Sequence, residues 1–273
     1  MSQETGSRPG EPTTTGEGAE GFPHESKYPF FVGLGLFLCG VSLAMFLPLL
    51  IAGVPVLAYG IWGWLYEYSV EEFEDAVVPR QKRQLLGVKS GYLAMVLVVG
   101  GELVIFAGLF VAWFYLRAER GQFFPPAYPA PSLTNGIALT AIMILSAITI
   151  GYARRSISGD DRSGFNWGLA LTILLGIAFL VVLAVEWSDL MAAGVDWTTG
   201  PYGAAYYVIT GVHAVHLLVG LALAGIVGWR GWGRGHFSSD RHLMVSTTEL
   251  YWYFLAFVSI LILAFVYFPT TVA

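Results

Sequence analysis

The stretch YPFFVGLGLFLCGVSLAMFLPLLIAGVPVLAYGIWGWLY, residues 28–66, contains no Asp, Glu, Lys or Arg. It is about twice as long as the roughly 20 residues that one helix needs to cross the hydrocarbon core of a bilayer. Pro48, Gly53 and Pro55 offer a break, because proline removes a helical hydrogen-bond donor and glycine tolerates a tight turn. We therefore predict two membrane helices that form a short hairpin.

The rest of the chain repeats this apolar character. Of its 273 residues, 56% are hydrophobic and only 12% are charged, and the mean hydropathy is +0.65. Such a composition would leave a soluble domain with large exposed apolar patches. We predict an all-α, polytopic membrane helix bundle with about seven transmembrane helices. The five later spans are expected at residues 90–116, 133–153, 165–187, 204–229 and 246–268.

The N-terminal segment differs sharply in composition. Residues 1–27 are rich in Gly, Thr, Glu and Pro and have almost no large apolar side chains. Such a segment cannot bury enough surface to offset its conformational entropy. We expect a disordered cytoplasmic tail at residues 1–27, followed by one membrane domain at residues 28–273.

The charge and the cysteine content argue against nucleic-acid binding, a disulfide and a metal–thiolate cluster. The formal net charge is −5, which argues against a nucleic-acid partner. Cys39 is the only cysteine, so the chain has neither an internal disulfide nor a thiolate cluster for a metal. We expect Cys39 to serve helix packing.

The distribution of basic residues predicts the orientation. With a cytoplasmic N-terminus, only Arg117 and Arg120 of the 14 Lys and Arg residues lie outside, and the other twelve lie inside. Cytoplasmic loops carry this excess of Lys and Arg in membrane proteins. We predict a multi-pass protein of the cytoplasmic membrane, with its N-terminus in the cytoplasm and its C-terminus outside.

Glu102 lies inside an apolar span, in the sequence Gly-Gly-Glu102-Leu-Val-Ile-Phe. An ionised carboxylate there is costly unless it is paired, hydrated or protonated. Two interpretations follow: a carboxylate accessible to protons, or a buried acid that is hydrogen-bonded to another helix. Both require a partner group.

Two histidines, His213 and His216, lie three residues apart in another apolar span and so share a helix face. Imidazoles in a span hydrogen-bond to neighbouring helices, relay protons, contact lipid headgroups or bind a cofactor. Structural hydrogen bonding is the simplest of these roles. The ligand patterns of zinc sites are absent from the sequence.

Glu186 and Glu249 lie at the predicted ends of the fifth and seventh spans. At the membrane–water interface an acidic side chain can reach water at modest cost. An interfacial position is therefore favoured for both. The aromatic run around Trp252 is more typical of packing than of a cofactor site.

Taken in order, these segments resemble the subunit III family of haem-copper oxidases, which comprise cytochrome c and quinol oxidases. The Glu102 segment is similar to the family's third-helix motif, and Pro131-Ser-Leu-Thr-Asn135 resembles the start of its fourth helix. Glu186-Trp187 is similar to the pair that ends its fifth helix. Residues 207–216 match the pattern Tyr-x-x-Thr-Gly-x-His-x-x-His closely.

The resemblance implies a two-helix hairpin plus a five-helix bundle, with a lipid cleft between the two parts and bound phospholipid. It implies an accessory, non-redox subunit of a terminal oxidase in aerobic respiration, not catalytic alone, that supports proton uptake and stability of the catalytic subunit. Haem and copper are expected in the partner subunits I and II, with none in this chain. The motif residues, expected to be linked to protons or lipid, are Glu102, Glu186, Thr210, Gly211, His213, His216 and Glu249.

The seventh span departs from the family pattern. Many members read Trp-His-Phe-Val-Asp where this chain has Trp252, Tyr253, Phe254, Leu255 and Ala256, so Tyr253 and Ala256 replace a His and an Asp. Alternative interpretations are an intramembrane b-type cytochrome with a histidine ligand, a proton-coupled transporter built around Glu102, and an accessory protein of a nitric oxide reductase.

Overall fold

The computed structural model describes residues 27–44, 47–74, 84–85, 88–119, 123 and 129–268. The predicted tail therefore lies outside the described residues, except for its last residue. The described part contains one antiparallel ladder, β1 (Gln84–Leu85) with β2 (Val88–Lys89), and seven α-helices. The helices are α1 (Tyr28–Ala44), α2 (Leu50–Glu74), α3 (Ser90–Glu119), α4 (Leu133–Ser158), α5 (Arg162–Ala192), α6 (Gly200–Arg234) and α7 (Leu243–Ile262).

The described residues fall into two compact units, one before residue 82 and one from residue 82 onward. The first contains α1 and α2, which pack against each other as the predicted hairpin. Pro48 lies at the break, in a 3-10 turn that precedes α2, whereas Gly53 and Pro55 lie inside α2. Gly53 allows a close contact instead, because a Cβ at this position would lie 2.9 Å from Cys39 Sγ. Cys39 thus serves helix packing, as predicted.

The second unit contains α3 to α7, and all five helices are long and apolar enough to cross a membrane. Each has at least the roughly 20 residues that a span requires. The prediction of a polytopic helical membrane protein with seven helices is confirmed. Helices α5 and α6 extend several residues beyond the predicted spans at both ends, with 31 and 35 residues. Helix α7 begins three residues before the predicted span and ends before residue 268. The apolar described parts of α1 and α2 are shorter, Tyr28–Cys39 and Leu50–Trp64.

The turn between α4 and α5 is fixed by two aspartates. Asp161 caps α5, because its carboxylate accepts a hydrogen bond of 3.0 Å from the Gly164 amide. Asp160 adopts a positive φ of 58° and accepts a hydrogen bond of 2.8 Å from the Ser239 amide. The hydrogen bonds from Ser239 hold the pKa of Asp160 below its ordinary value. This turn is therefore tied to the loop that precedes α7.

Buried polar contacts join α7 to α4 and α5. Trp252 Nε1 donates to Ser146 Oγ at 2.8 Å, and Ser146 Oγ donates to the Thr172 carbonyl at 3.2 Å. Beyond α7 the chain continues as a π-helical turn, Leu263–Tyr267. The ring of Tyr267 packs against Gly136, where a Cβ would lie only 2.6 Å from it.

Candidate functional site

Glu102 of α3 and His216 of α6 form a direct pair. His216 Nε2 lies 3.0 Å from Glu102 Oε2. The other ring nitrogen, Nδ1, lies 2.7 Å from the backbone carbonyl of Val212. Phe106 packs edge-on against the imidazole, with ring centroids 5.1 Å apart. The partner that Glu102 requires inside its span is therefore a histidine of the motif at residues 207–216.

The two contacts of the His216 ring determine how many hydrogens the Glu102–His216 pair carries. A carbonyl can only accept, so His216 Nδ1 carries a hydrogen and donates it to Val212. The contact between Nε2 and Oε2 then requires one further proton, which resides on either Glu102 or His216. The pair is thus a carboxylic acid facing a neutral imidazole, or a carboxylate facing an imidazolium. In either form it can hold one exchangeable proton.

The pair lies at an edge of the second unit. Side-chain exposure is 28% for Glu102 and 15% for His216. The Tyr251 hydroxyl donates to the His216 carbonyl at 3.1 Å and so connects α7 to this region of α6. The pair is therefore partly exposed at the surface of the second unit and is not enclosed in its core.

His213 has a different environment from His216. Its side chain is 1% exposed and packs edge-on against Phe179 and Phe106, with ring centroids 5.4 and 6.2 Å away. The spacing of three residues placed the two histidines on one face, but only His216 reaches Glu102. His213 lies deeper, between the helices.

Glu186 is buried against other helices, so its carboxyl does not reach the surface of the chain as the expected contact with interfacial water would require. Helix α5 continues to Ala192, so Glu186 lies inside the helix and is only 2% exposed. The Tyr267 hydroxyl donates to Glu186 Oε2 at 2.5 Å, and the Tyr206 and Tyr267 hydroxyls lie 3.2 Å apart. The cost of burying the carboxyl is offset by these hydroxyl groups, which replace water.

Other motif residues connect α5 to α6. Trp187 Nε1 donates to Thr210 Oγ1 at 3.2 Å, and Thr210 Oγ1 donates to the Tyr206 carbonyl at 2.8 Å. A Cβ at Gly211 would meet the Trp187 ring at 3.5 Å, an ordinary contact distance. The ends of α5 and α6 are thus joined through side chains of two separate sequence motifs.

Glu249 belongs to a third cluster, between α4 and α7. Glu249 Oε2 lies 2.8 Å from Arg154 Nε, and Glu249 Oε1 accepts a hydrogen bond of 2.8 Å from the Tyr253 hydroxyl. Gly151 makes room for this hydroxyl, since a Cβ there would lie 2.6 Å from it. Tyr253, which replaces the family histidine, therefore forms a hydrogen bond to Glu249, which lies one helical turn before it in α7. Ala256 is buried and contributes no carboxyl group.

We predict a measurable coupling between Arg154 and Glu249. Arg154→Met, Glu249→Gln and the double variant should give a coupling of about 1 kcal/mol, because each single change leaves one charge without its partner. This corresponds to about 2–4 °C in the apparent Tm of the purified complex. Arg155→Met, at the exposed neighbouring residue, is the control and should show no coupling to Glu249→Gln. Additive effects of Arg154→Met and Glu249→Gln would contradict the prediction.

Sequence patterns had not singled out two residues of these clusters. Tyr267 was one of many aromatic residues near a span end, and Arg154 contributed only to the orientation count. A weak signal existed for Arg154, because Glu249 and Arg154 are both predicted near the cytoplasmic side of their spans. No comparable signal existed for Tyr267, which reaches Glu186 from 81 residues away.

No group of three or more His, Cys, Asp or Glu side chains within the described residues could hold a metal ion. His213 and His216 do not converge with a third such side chain. The contacts of Glu102, Glu186 and Glu249 are hydrogen bonds and charge pairs with neighbouring side chains.

Comparisons with known proteins agree with this arrangement. A cytochrome c oxidase subunit 3 from Synechocystis is 31% identical over 173 residues, which cover 63% of this chain and 73% of the relative. Its counterpart from Thermostichus vulcanus is 30% identical and covers 65% and 87%. A heme-copper oxidase subunit I+III from Aeropyrum pernix is 27% identical and covers 72% of this chain and 25% of the relative.

The family profile spans nearly the whole chain. It matches residues 22–271, which include helices α1 to α7 and all of the motif residues. This chain belongs to the cytochrome c oxidase subunit III family.

Proposed function

We propose that this chain is the accessory, non-redox subunit of a haem-copper terminal oxidase in aerobic respiration. The observation that carries the proposal is the family match over residues 22–271. The comparisons give no support to a b-type cytochrome, a transporter or a nitric oxide reductase accessory protein. The chain acts as one subunit of a complex in a membrane and is not catalytic alone.

Within that complex, we assign the support of proton uptake to Glu102 and His216. Their contact holds one exchangeable proton, and the side chains are partly exposed. The pair is neutral overall while it holds this proton, and its release leaves a carboxylate beside a neutral imidazole, so each release must be matched by the uptake of another proton. The other motif residues, Thr210, Gly211, His213, Glu186 and Glu249, hold the helices that position this pair.

The partners are oxidase subunits I and II, which hold the haem and copper. The relative named heme-copper oxidase subunit I+III pairs the two subunits in its name. We further propose that residues 28–273 act as one membrane domain with bound phospholipid, and that residues 1–27 form a cytoplasmic tail. The twelve-to-two distribution of Lys and Arg supports a cytoplasmic N-terminus and an external C-terminus.

Affinity purification of the full chain from native membranes in mild detergent tests the assignment. We expect recovery of a many-spanning haem-copper subunit and a second oxidase subunit, identified by mass spectrometry, and the visible spectrum should belong to those partners. Recovery of the chain alone with a haem spectrum of its own would overturn the proposal.

Variants at Glu102 test the role of the pair. Glu102→Ala should leave the haem content of the complex intact and make its activity decay several-fold faster during sustained turnover, because His216 loses its proton partner. Glu102→Gln is the matched variant: its amide can still donate to His216 Nε2 but cannot release a proton. We expect Glu102→Gln to preserve the apparent Tm and to show the same decay. Wild-type turnover in Glu102→Gln would limit the pair to a structural role.

A further inference from the structure

Within the described part of the chain, the ring nitrogens of His213 are unsatisfied hydrogen-bonding groups. The imidazole is 1% exposed, and neither ring nitrogen has a hydrogen-bond partner among the described residues. A neutral imidazole has one donor and one acceptor. Leaving such a group unsatisfied in the interior is unfavourable, because the imidazole has lost its hydrogen bonds to water. His216 cannot relieve this requirement, because its two nitrogens contact Glu102 and Val212.

A small cavity lies beside this imidazole, in the interior of the second unit. The space available to the centre of a water molecule is about 10 Å³, which is close to the requirement for one water. The cavity is bounded by side chains from α4, α5, α6 and α7 and by Tyr267. Its polar lining residues are His213, Thr140, Thr210, Ser259 and Tyr267.

The threonine hydroxyls retain capacity for a further partner. Thr210 Oγ1 donates to Tyr206 and accepts from Trp187, so one of its two lone pairs is still available. The contact of Thr140 Oγ1 with the Ser259 carbonyl is long, at 3.4 Å, and is weaker than an ordinary hydroxyl hydrogen bond. A buried water requires two to four polar partners, and the cavity offers them.

We propose that this cavity is a binding site for one ordered water molecule, which hydrogen-bonds to His213 and to the hydroxyls of Thr140 and Thr210. The water bridges α4 and α6 in the interior of the unit and satisfies the buried imidazole. It is separate from the Glu102–His216 pair, and it does not depend on the proposed role of that pair in proton uptake. The cavity is too small for a lipid chain or headgroup.

A structure of the purified complex at a resolution that reveals ordered water tests the proposal directly. We expect a density peak about 3 Å from a ring nitrogen of His213 and within hydrogen-bonding reach of a threonine hydroxyl. An empty cavity would overturn the proposal. A rotated His213 that bonds directly to a protein group would overturn it as well.

Solid-state NMR of the same complex, with ¹⁵N-labelled histidine, provides a second measurement on the unaltered protein. We expect magnetisation transfer from a bound water to the His213 ring, and a His213→Leu variant assigns that signal by its loss. Thr140→Val, which keeps the shape and removes a hydroxyl, should weaken the transfer at least twofold. Absence of any water transfer to His213 in the wild-type complex would refute the site even if the variants fail to fold.

Discussion

A Gly168→Leu variant is expected to lose most of its folded and assembled population in the membrane. Gly168 lies where α5 packs against α4, and a Cβ there would lie 2.9 Å from both the Ala153 Cβ and the Thr149 carbonyl oxygen. Overpacking of this kind costs about 1–3 kcal/mol, and more where the neighbour is backbone that cannot move aside. The measurement is the fraction of the chain in the membrane that co-purifies with the oxidase.

The expected effect is large because a hydrogen bond joins α4 and α5 beside the close contact at Gly168. The Thr149 and Thr172 hydroxyls lie 2.8 Å apart across the same contact, and the Thr172 hydroxyl donates to the Gly168 carbonyl at 2.8 Å. Between membrane helices, close packing at small residues and interhelical hydrogen bonds supply the association free energy. A leucine that separates the helices therefore removes both contributions at once. Gly168→Ala should show the same defect in milder form.

Gly225 provides the matched control. It lies in α6, also within a candidate span, and a Cβ there would meet no atom within 4 Å. Gly225→Leu introduces the same side chain into another apolar helix of the same unit, and we expect near-normal recovery. If both variants co-purified with the oxidase equally poorly, leucine would disturb any membrane helix of this unit by its size. The α4–α5 contact at Gly168 would then have no special importance.

Hydropathy and charge were sufficient to predict the helices. The span predicted at residues 165–187 lies within Arg162–Ala192, and the span predicted at residues 133–153 lies within Leu133–Ser158. A membrane helix must satisfy all of its backbone groups internally, so a long apolar segment has few alternatives to helix. The helix ends were not predictable by this reasoning, because helices continue into the interface after the apolar character ends.

The position of Glu186 could not be predicted for the same reason. Its distance from the end of the apolar run suggested contact with water, but α5 continues for six more residues and other elements cover the carboxyl. Burial depends on the neighbours that tertiary packing brings, and these include Tyr267, 81 positions away in the chain. A single sequence contains no direct record of that proximity.

The histidine motif was predictable only in part. Periodicity placed His213 and His216 on one side of α6, and the need of Glu102 for a partner was evident from its apolar span. Which imidazole meets the carboxyl depends on the packing of α3 against α6 and on the position of Phe106. Likewise, the exchange of a family histidine for Tyr253 became interpretable only through its hydrogen bond to Glu249.

Removal of the Tyr267 hydroxyl should destabilise the chain more than removal of the Tyr207 hydroxyl. In Tyr267→Phe, the buried Glu186 loses its shortest hydrogen bond, and the Tyr206 hydroxyl loses its neighbour. A buried hydrogen bond contributes about 0.5–1.5 kcal/mol, and the partner left unsatisfied adds about 1–3 kcal/mol. We expect the apparent Tm of the complex to fall by about 5–10 °C.

Tyr207→Phe is the control for this change. The Tyr207 hydroxyl is also buried and donates to the Val195 carbonyl at 2.8 Å, so the same atom is removed from a bond with a neutral acceptor. Its loss should cost about 1 kcal/mol, or about 2–4 °C. Equal shifts for the two variants would show that the carboxyl of Glu186 adds nothing to the strength of the Tyr267 contact.

A double variant separates lost hydrogen bonding from lost packing. Glu186→Met replaces the carboxyl by an apolar side chain of similar length, and replacing both partners of a buried hydrogen bond costs far less than removing one. Glu186→Met with Tyr267→Phe should therefore be more stable than Tyr267→Phe alone, by about 1–2 kcal/mol. A double variant whose Tm falls by the sum of the two single effects would mean that Glu186 and Tyr267 contribute independently, and the hydrogen bond between them could not then be the source of the stability of this cluster.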